Sequence, residues 1–137
     1  MTDFSPGEAE TLLVVDDDEA IRKLEVRILS KLGHKVLEAG SPMEAMQLAA
    51  ATPAIRLLLT DFSMPGFNGL ELARRFRAVH PKAPVLMVSG AVPVLDGETR
   101  ELEGFAVLAK PFTSVDLLRT VRTLMDGSTS QAADGSP

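Results

Sequence analysis

Short, largely apolar runs alternate with amphipathic segments along the chain, and the alternation occurs five times. The apolar runs are Leu12 to Val15, Lys35 to Ala39, Ile55 to Thr60, Val85 to Ser89 and Phe105 to Ala109. Most carry apolar residues without a polar residue at every second position, which is typical of strands buried on both faces of a parallel sheet. The pattern predicts an α/β fold with a doubly wound, five-stranded parallel sheet and about five helices.

The segments between the runs predict helices that begin at recognisable capping residues. In the first helix, apolar side chains recur at helical spacing: Ile21, Leu24, Ile28 and Leu32. Residues able to cap a helix start are Asp18, Ser41, Asn68 and Thr113. Ser41 is followed by Pro42 and Glu44, which together make a capping box with proline at the first helical position.

The fourth helix is the weak element of this pattern. Between Gly90 and Gly104 the chain contains Pro93 and an Asp96-Gly97 pair, and few apolar anchors. Proline and glycine disfavour a helix interior. We therefore expect helix four to be short or poorly ordered.

The length of 137 residues fits one domain. Residues 1–9 have no apolar spacing, and the sequence from Gly127 to Pro137 is small and polar. We predict a flexible N-terminus at 1–9, a folded domain at 10–126 and a disordered C-terminal tail at 127–137.

Composition narrows the possible environments and partners. The net charge of −5 argues against a nucleic-acid-binding surface, and the chain contains no cysteine for a disulfide or thiolate metal site. No apolar run is long enough to cross a bilayer, and the first residues do not resemble a signal peptide. We expect a cytoplasmic protein without a membrane or nucleic-acid partner.

The predicted strands end in groups that can act on a metal or a phosphate. The first is followed by Asp16 and Asp17, the third by Asp61, the fourth ends at Ser89, and the fifth is followed by Lys110. The carboxyl ends of parallel strands meet at one edge of the sheet, where ligands bind. Crowded carboxylates repel one another unless a cation joins them, and an all-oxygen ligand set favours Mg²⁺ over zinc. One carboxylate can then act as a nucleophile towards a phosphoryl group.

Four segments together resemble the signature segments of receiver domains from two-component response regulators. They are LVVDDD at 13–18, LTDFSMPGFNG at 59–69, VSG at 88–90 and KPF at 110–112. The resemblance runs from about Thr11 to Met125 and is closest to receivers of hybrid histidine kinases. It implies a flavodoxin-like sheet with strand order 2-1-3-4-5.

The resemblance also implies a role for each matching residue. Asp61 resembles the phosphoacceptor, Lys110 the phosphate-pairing lysine and Ser89 the switch hydroxyl. Mg²⁺, for which Mn²⁺ can substitute, would be held by Asp16, Asp17, Asp61 and the backbone carbonyl of Ser63. Pro111 would follow a cis peptide bond.

The implied partners are a sensor histidine kinase or a histidine phosphotransfer protein as donor, and a downstream protein as target. The chain would be a stand-alone response regulator or the receiver of a hybrid kinase, which relays the signal by protein contact or onward phosphotransfer. Val107 departs from the family pattern, because a rotating aromatic side chain usually occupies that position.

Two other functions are alternatives to this interpretation. A haloacid-dehalogenase-type phosphatase also forms an aspartyl phosphate, but it needs a second aspartate where this chain has Ser63. A pseudo-receiver would keep the fold without the chemistry, against which the intact acidic pair, acceptor, hydroxyl and lysine argue. We expect a phosphoacceptor that promotes its own phosphorylation and dephosphorylation, and not a turnover enzyme.

Overall fold

The computed structural model describes residues 11–90 and 99–134, with side chains described to Asp126. Its strands are β1 (Thr11–Val15), β2 (Lys35–Ala39), β3 (Ile55–Asp61), β4 (Val85–Ser89), β5 (Thr99–Leu102) and β6 (Phe105–Ala109). Its helices are α1 (Glu19–Ser30), α2 (Pro42–Ala51), α3 (Gly69–Val79) and α4 (Ser114–Asp134). Because α4 is still helical at Asp134, the last helix extends past residue 126. The limits of the N-terminus (1–9), the folded domain (10–126) and the C-terminal tail (127–137) stay a prediction.

All described strands belong to one sheet, in the order β2-β1-β3-β4-β6-β5. The predicted strands are β1, β2, β3, β4 and β6, and they pair in parallel. The predicted flavodoxin-like order of the parallel strands is therefore confirmed.

The prediction of five strands and about five helices needs one correction. Residues 99–102, in the region assigned to helix four, form strand β5, which pairs antiparallel with β6 at the edge of the sheet. Two residues with positive φ, Glu103 at 54° and Gly104 at 85°, form the turn between them. Two consecutive residues of this kind match the twist of a tight hairpin, and so the turn favours strand pairing over a helix. The rest of the predicted helix-four region, residues 91–98, lies outside the described residues.

Both faces of the sheet are covered at β1, β3, β4 and β6, as their largely apolar residues require. One face packs against α2 and α3, with Phe76 and Met87 among its fully buried side chains. The other face packs against α1 and α4, with Leu29 and Leu117 buried there. This packing leaves the carboxyl ends of the strands as one rim of the domain.

The caps follow the sequence closely. Asp18 accepts a hydrogen bond from the Ile21 amide at 3.1 Å, and Asn68 accepts one from the Glu71 amide at 3.0 Å. These short polar side chains fix where α1 and α3 begin. Both helices therefore start directly at the rim.

The buried face of α1 differs from the one that the apolar spacing predicts. Ile21 and Leu24 are 37% and 52% exposed, whereas Glu25 is only 2% exposed and lies beside the buried Ile28.

Among the helices that the structure describes, none is long and apolar enough to cross a membrane.

Candidate functional site

Three carboxylates converge at the rim of the sheet. Asp16 and Asp17 follow β1, and Asp61 ends the neighbouring strand β3. One oxygen from each lies within 4.8 Å of the other two. The loop after β1 and the last residue of β3 thus bring together the acidic residues that the sequence placed at one edge.

Asp16 is the most deeply buried of the three carboxylates, with 1% of its surface exposed. Its Oδ1 atom accepts a hydrogen bond from the Asp18 amide at 2.9 Å. Its buried Oδ2 atom has no hydrogen-bond partner among the described residues. Burial raises the pKa of Asp16, and the neighbouring charges of Asp61 and Asp17 raise it further.

Lys110 lies directly against the expected phosphoacceptor. Its Nζ donates a hydrogen bond to Asp61 Oδ1 at 3.0 Å, and both side chains are largely shielded from solvent. The Lys110 amide donates to the Ser89 carbonyl at 2.8 Å, which fixes the end of β6 beside the end of β4. A charge-assisted pair of this kind places the ammonium where it can neutralise an oxyanion on Asp61.

Ser89 and Ser63 occupy different surroundings. Ser89 is 4% exposed and ends β4, next to Val88, whose register partner is Asp61. Ser63 is exposed in the loop between β3 and α3. The rim therefore brings Asp16, Asp17 and Asp61 within 4.8 Å of one another, with Lys110 bonded to Asp61. Ser89 lies on the adjoining strand and Ser63 in the adjoining loop.

Two residues near the site were missed by the sequence analysis. Arg22 donates from Nη1 to the backbone carbonyl of Asp16 at 2.9 Å and pairs through Nε with Glu38 at 2.9 Å. It anchors the acidic loop to β2. No motif marks this role, because the pair with Glu38 joins α1 to a separate element, β2.

Glu25 is the second missed residue. Neither carboxylate oxygen has a hydrogen-bond partner among the residues that the structure describes. Burial raises the pKa of Glu25 to about 8, and the Asp16 charge adds to the effect. Its spacing of three and four residues from the buried Ile28 and Leu29 was a signal for this burial, which its charge obscured.

The carboxylate cluster fits a divalent cation. A cation among the three side chains would offset their repulsion and give the buried Oδ2 atom of Asp16 the partner that it lacks. The cluster offers only oxygen atoms, which are the ligands that hard cations prefer. The donor set therefore suits a hard divalent metal ion.

The comparisons with known proteins agree with this fold. Residues 12–122 match the family model of the response regulator receiver domain. A chemotaxis protein CheY homolog of Campylobacter jejuni is 33% identical over 89% of this chain and 97% of its own length. The chain therefore belongs to the response regulator receiver domain family, whose members act in phosphorylation-dependent signalling.

Relatives of different overall size share this domain. Sensor kinase CckA of Brucella abortus is 34% identical over 91% of this chain, which spans 13% of that kinase. The transcriptional regulator NtrC of Azospirillum brasilense is 32% identical, and the chain spans 26% of it. The crystal structure of a receiver domain from the hybrid histidine kinase CckA superposes with a TM-score of 0.72 at 31% identity, over 84% of this chain and 98% of that one.

Two local features complete the description of the site. The bond between Lys110 and Pro111 is cis, as the resemblance implied. Val107 is 2% exposed and lies within the sheet, so its position offers a small buried side chain in place of a rotating ring.

Proposed function

We propose that this receiver domain accepts a phosphoryl group on Asp61 from a phosphohistidine donor, in a reaction that depends on one divalent metal ion. The contact between Lys110 and Asp61 at 3.0 Å, beside the Asp16–Asp17 pair, is the observation that carries the proposal. An ammonium and two further carboxylates beside Asp61 support its role as the nucleophile of a metal-assisted reaction. Asp61 can thus attack phosphorus, and the neighbouring positive charges can stabilise the aspartyl phosphate that forms.

The transfer needs little covalent chemistry from the protein. A carboxylate oxygen of Asp61 forms a bond to phosphorus while the bond from phosphorus to the donor imidazole nitrogen breaks. The electron pair of the broken bond stays on the imidazole. Positioning and charge neutralisation supply most of the rate enhancement in such reactions. Lys110 supplies one positive partner for the phosphoryl oxygens, and Ser89 supplies a hydroxyl donor.

We infer that the metal ion is Mg²⁺, held by Asp16, Asp17, Asp61 and the Ser63 carbonyl, and that Mn²⁺ can substitute. When bound, the ion neutralises charge on the phosphoryl oxygens. Three carboxylates with no cysteine in the chain favour these ions over softer ones.

The donor is inferred to be a sensor histidine kinase or a histidine phosphotransfer protein, and the location cytoplasmic. Output is inferred to occur by contact with a downstream protein or by onward phosphotransfer. The chain spans nearly all of the CheY homolog but a small part of the CckA kinase. Both a stand-alone regulator and a receiver within a hybrid kinase are consistent with these lengths.

Acetyl phosphate as donor gives a test that needs no cognate kinase. The chain is incubated with acetyl phosphate and Mg²⁺, and intact mass and peptide mapping report any added phosphoryl group. We expect one such group on Asp61, and none with Asp61→Asn or with chelator. A wild-type chain that stays unmodified, or that carries the group elsewhere, would contradict the proposal. Steady turnover of phosphomonoesters through Asp61 would instead support a phosphatase.

A further inference from the structure

The start of α3 is attached to the backbone of the strand that carries Asp61. The Gly69 amide donates a hydrogen bond to the Phe62 carbonyl at 2.8 Å. A Cβ atom on Gly69 would overlap the carbonyl oxygen of Asp61 and lie 2.8 Å from Phe62 Cα. Because no space separates the two segments, the first turn of α3 follows any backbone displacement at Asp61.

The loop between β3 and α3 is also fixed to the helix. Asn68 caps α3 through the Glu71 amide, and the guanidinium of Arg75 lies over the Phe67 ring at 4.3 Å from its centroid. Ser63, the expected carbonyl ligand of the metal ion, lies in the same loop. Changes in the metal and phosphoryl state of the site would therefore act on α3 at its N-terminal end.

The second half of α3 contacts the turn of the β5–β6 hairpin. Arg74 makes a two-point pair with Glu103, through Nε at 3.0 Å and Nη2 at 2.7 Å. The guanidinium of Arg77 lies 3.9 Å from the centroid of the Phe105 ring and donates to the Gly104 carbonyl at 3.5 Å. We call these five residues the α3–hairpin clamp.

The clamp fixes orientation as well as distance. A two-point arginine–carboxylate pair restricts the relative rotation of its partners, and an arginine over an aromatic face adds a second, independent contact. Glu103 and Gly104 are the two turn residues themselves, so the clamp acts on the point that joins β5 to β6. A rotation of α3 would consequently be passed to the hairpin as a whole.

Strand β5 is the element that such a rotation would displace. All four of its residues are exposed, and it forms the outer edge of the sheet, paired only with β6 among the described strands. The small buried side chain of Val107, on β6, provides no rotating ring to move this edge. The contact with α3 offers a different route.

We propose that α3 transmits the phosphorylation state of Asp61 to the exposed edge strand β5, through the α3–hairpin clamp. This inference rests on the proposed function, because it needs a change at Asp61 to transmit. It assigns Arg74 and Arg77 a role in signal output, at a distance from the metal and phosphoryl site. Output would then appear at the β5 edge.

The test measures backbone amide shifts of the full chain by NMR, with and without Mg²⁺ and beryllofluoride, which mimics a phosphoryl group on a carboxylate. In the wild type, we expect shifts around Asp61 and across residues 99–104. In the double variant Arg74→Ala/Arg77→Ala, we expect the shifts around Asp61 to remain and those of residues 99–102 to be lost. Retained shifts in β5 of this variant would show that the clamp is not the link.

Arg119→Ala is the matched control. It removes an exposed arginine from an ion pair with Asp116 at 2.9 Å on α4, and neither residue belongs to the α3–hairpin clamp. It should keep the full response. If the double variant does not fold, the charge swap Arg74→Glu/Glu103→Arg replaces it. A swapped chain that regains the β5 response lost in Arg74→Glu supports the clamp, and one that does not regain it contradicts the clamp.

Phosphorylation at Asp61 and transmission to β5 are tested separately by these spectra. No response around Asp61 in the wild type would contradict the proposed function, and with it the transmission. A wild-type response around Asp61 without any response in residues 99–102 would contradict the transmission alone.

Discussion

Acidic residues at the rim favour metal binding, but they destabilise the folded chain when no metal ion is bound. Asp16 has one buried oxygen without a partner, and its pKa is raised by burial and by neighbouring carboxylates. A raised pKa means that the folded chain holds this proton more tightly than the unfolded chain does. Ionised Asp16 therefore lowers the free energy of unfolding at pH values above its ordinary pKa of 3.8.

The variant Asp16→Asn tests this cost. In chelator at neutral pH, we expect it to raise the free energy of unfolding by about 1 kcal/mol, because a buried charge is removed while the acceptor for the Asp18 amide is kept. In Mg²⁺, the same variant should lose most of the stabilisation that the metal gives to the wild type. Urea unfolding in the two buffers measures both effects. A variant less stable than the wild type in chelator would contradict the first expectation.

Glu25 gives a second, independent prediction from pH. Its pKa of about 8 in the folded chain lies above its ordinary value of 4.5. Between these values the folded state keeps a proton that the unfolded state has released, so the free energy of unfolding falls as pH rises and levels off above about 8. At about 1.4 kcal/mol per pKa unit, the free energy of unfolding falls by at most about 5 kcal/mol over this pH range.

Glu25→Gln should remove that slope in metal-free buffer. The amide keeps the size of the carboxyl group but does not ionise. The free energy of unfolding of the variant should therefore exceed that of the wild type most at about pH 8 and above. Thermal unfolding from pH 5 to pH 9 measures the difference between the two chains. Parallel profiles for both chains would show that Glu25 does not titrate in the folded state as stated here.

Among the elements, α3 depends most on one small residue. A Cβ atom at Gly69 would lie 2.8 Å from Phe62 Cα and would also overlap the Asp61 carbonyl. Because both neighbours are backbone, neither can move aside without shifting the strand or the helix. Glycine at this position permits the closest approach between α3 and the site.

Gly69→Ala should therefore destabilise the fold by about 3 kcal/mol, as forced overpacking does. Gly90→Ala is the matched control, because a Cβ atom there meets nothing within 4 Å among the residues that the structure describes. We expect the control to stay within about 0.5 kcal/mol of the wild type. Denaturant unfolding compares the two variants, and equal stabilities would contradict the close approach.

The elements also show how far the sequence could predict the structure. The uniformly apolar runs gave the parallel strands, and Asp18, Asn68 and Ser41 gave the helix starts, because both signals are local. Strand β5 could not be predicted in this way. Its residues, Thr-Arg-Glu-Leu, carry no apolar alternation, and the strand exists through its pairing with β6. The turn that follows it is held against α3 through Glu103.

The residues of the candidate site were likewise predictable only in part. Asp16, Asp17, Asp61 and Lys110 were predictable, because each lies at a strand end and parallel strands end at one edge. Arg22 was not predictable, because its pairing with Glu38 depends on how α1 lies against β2. Contacts fixed by tertiary packing leave no pattern within a single segment of sequence.

For the molecule as a whole, metal binding should be coupled to folding. The three-carboxylate cluster is assembled only in the folded chain, because its members come from two separate strands. A metal ion at 100 times its dissociation constant would stabilise the folded state by about 2.7 kcal/mol. The chain should therefore melt at a higher temperature as Mg²⁺ is added.

Asp61→Asn should reduce this rise in melting temperature, because it removes one charged ligand. Arg119→Ala, which removes no member of the cluster, should leave it unchanged. Calorimetry across a Mg²⁺ titration measures the effect at constant ionic strength. An equal rise in the wild type and in Asp61→Asn would place the bound ion outside the cluster.

The most direct measurement is a crystal structure of the chain with Mn²⁺ and beryllofluoride, recorded at a wavelength where manganese scatters anomalously. We predict one anomalous peak among Asp16, Asp17 and Asp61, and beryllofluoride on the Asp61 carboxylate in contact with Lys110 and Ser89. A manganese ion bound away from these carboxylates, or beryllofluoride on a different residue, would contradict the assignment of Asp61 as a metal-assisted phosphoacceptor.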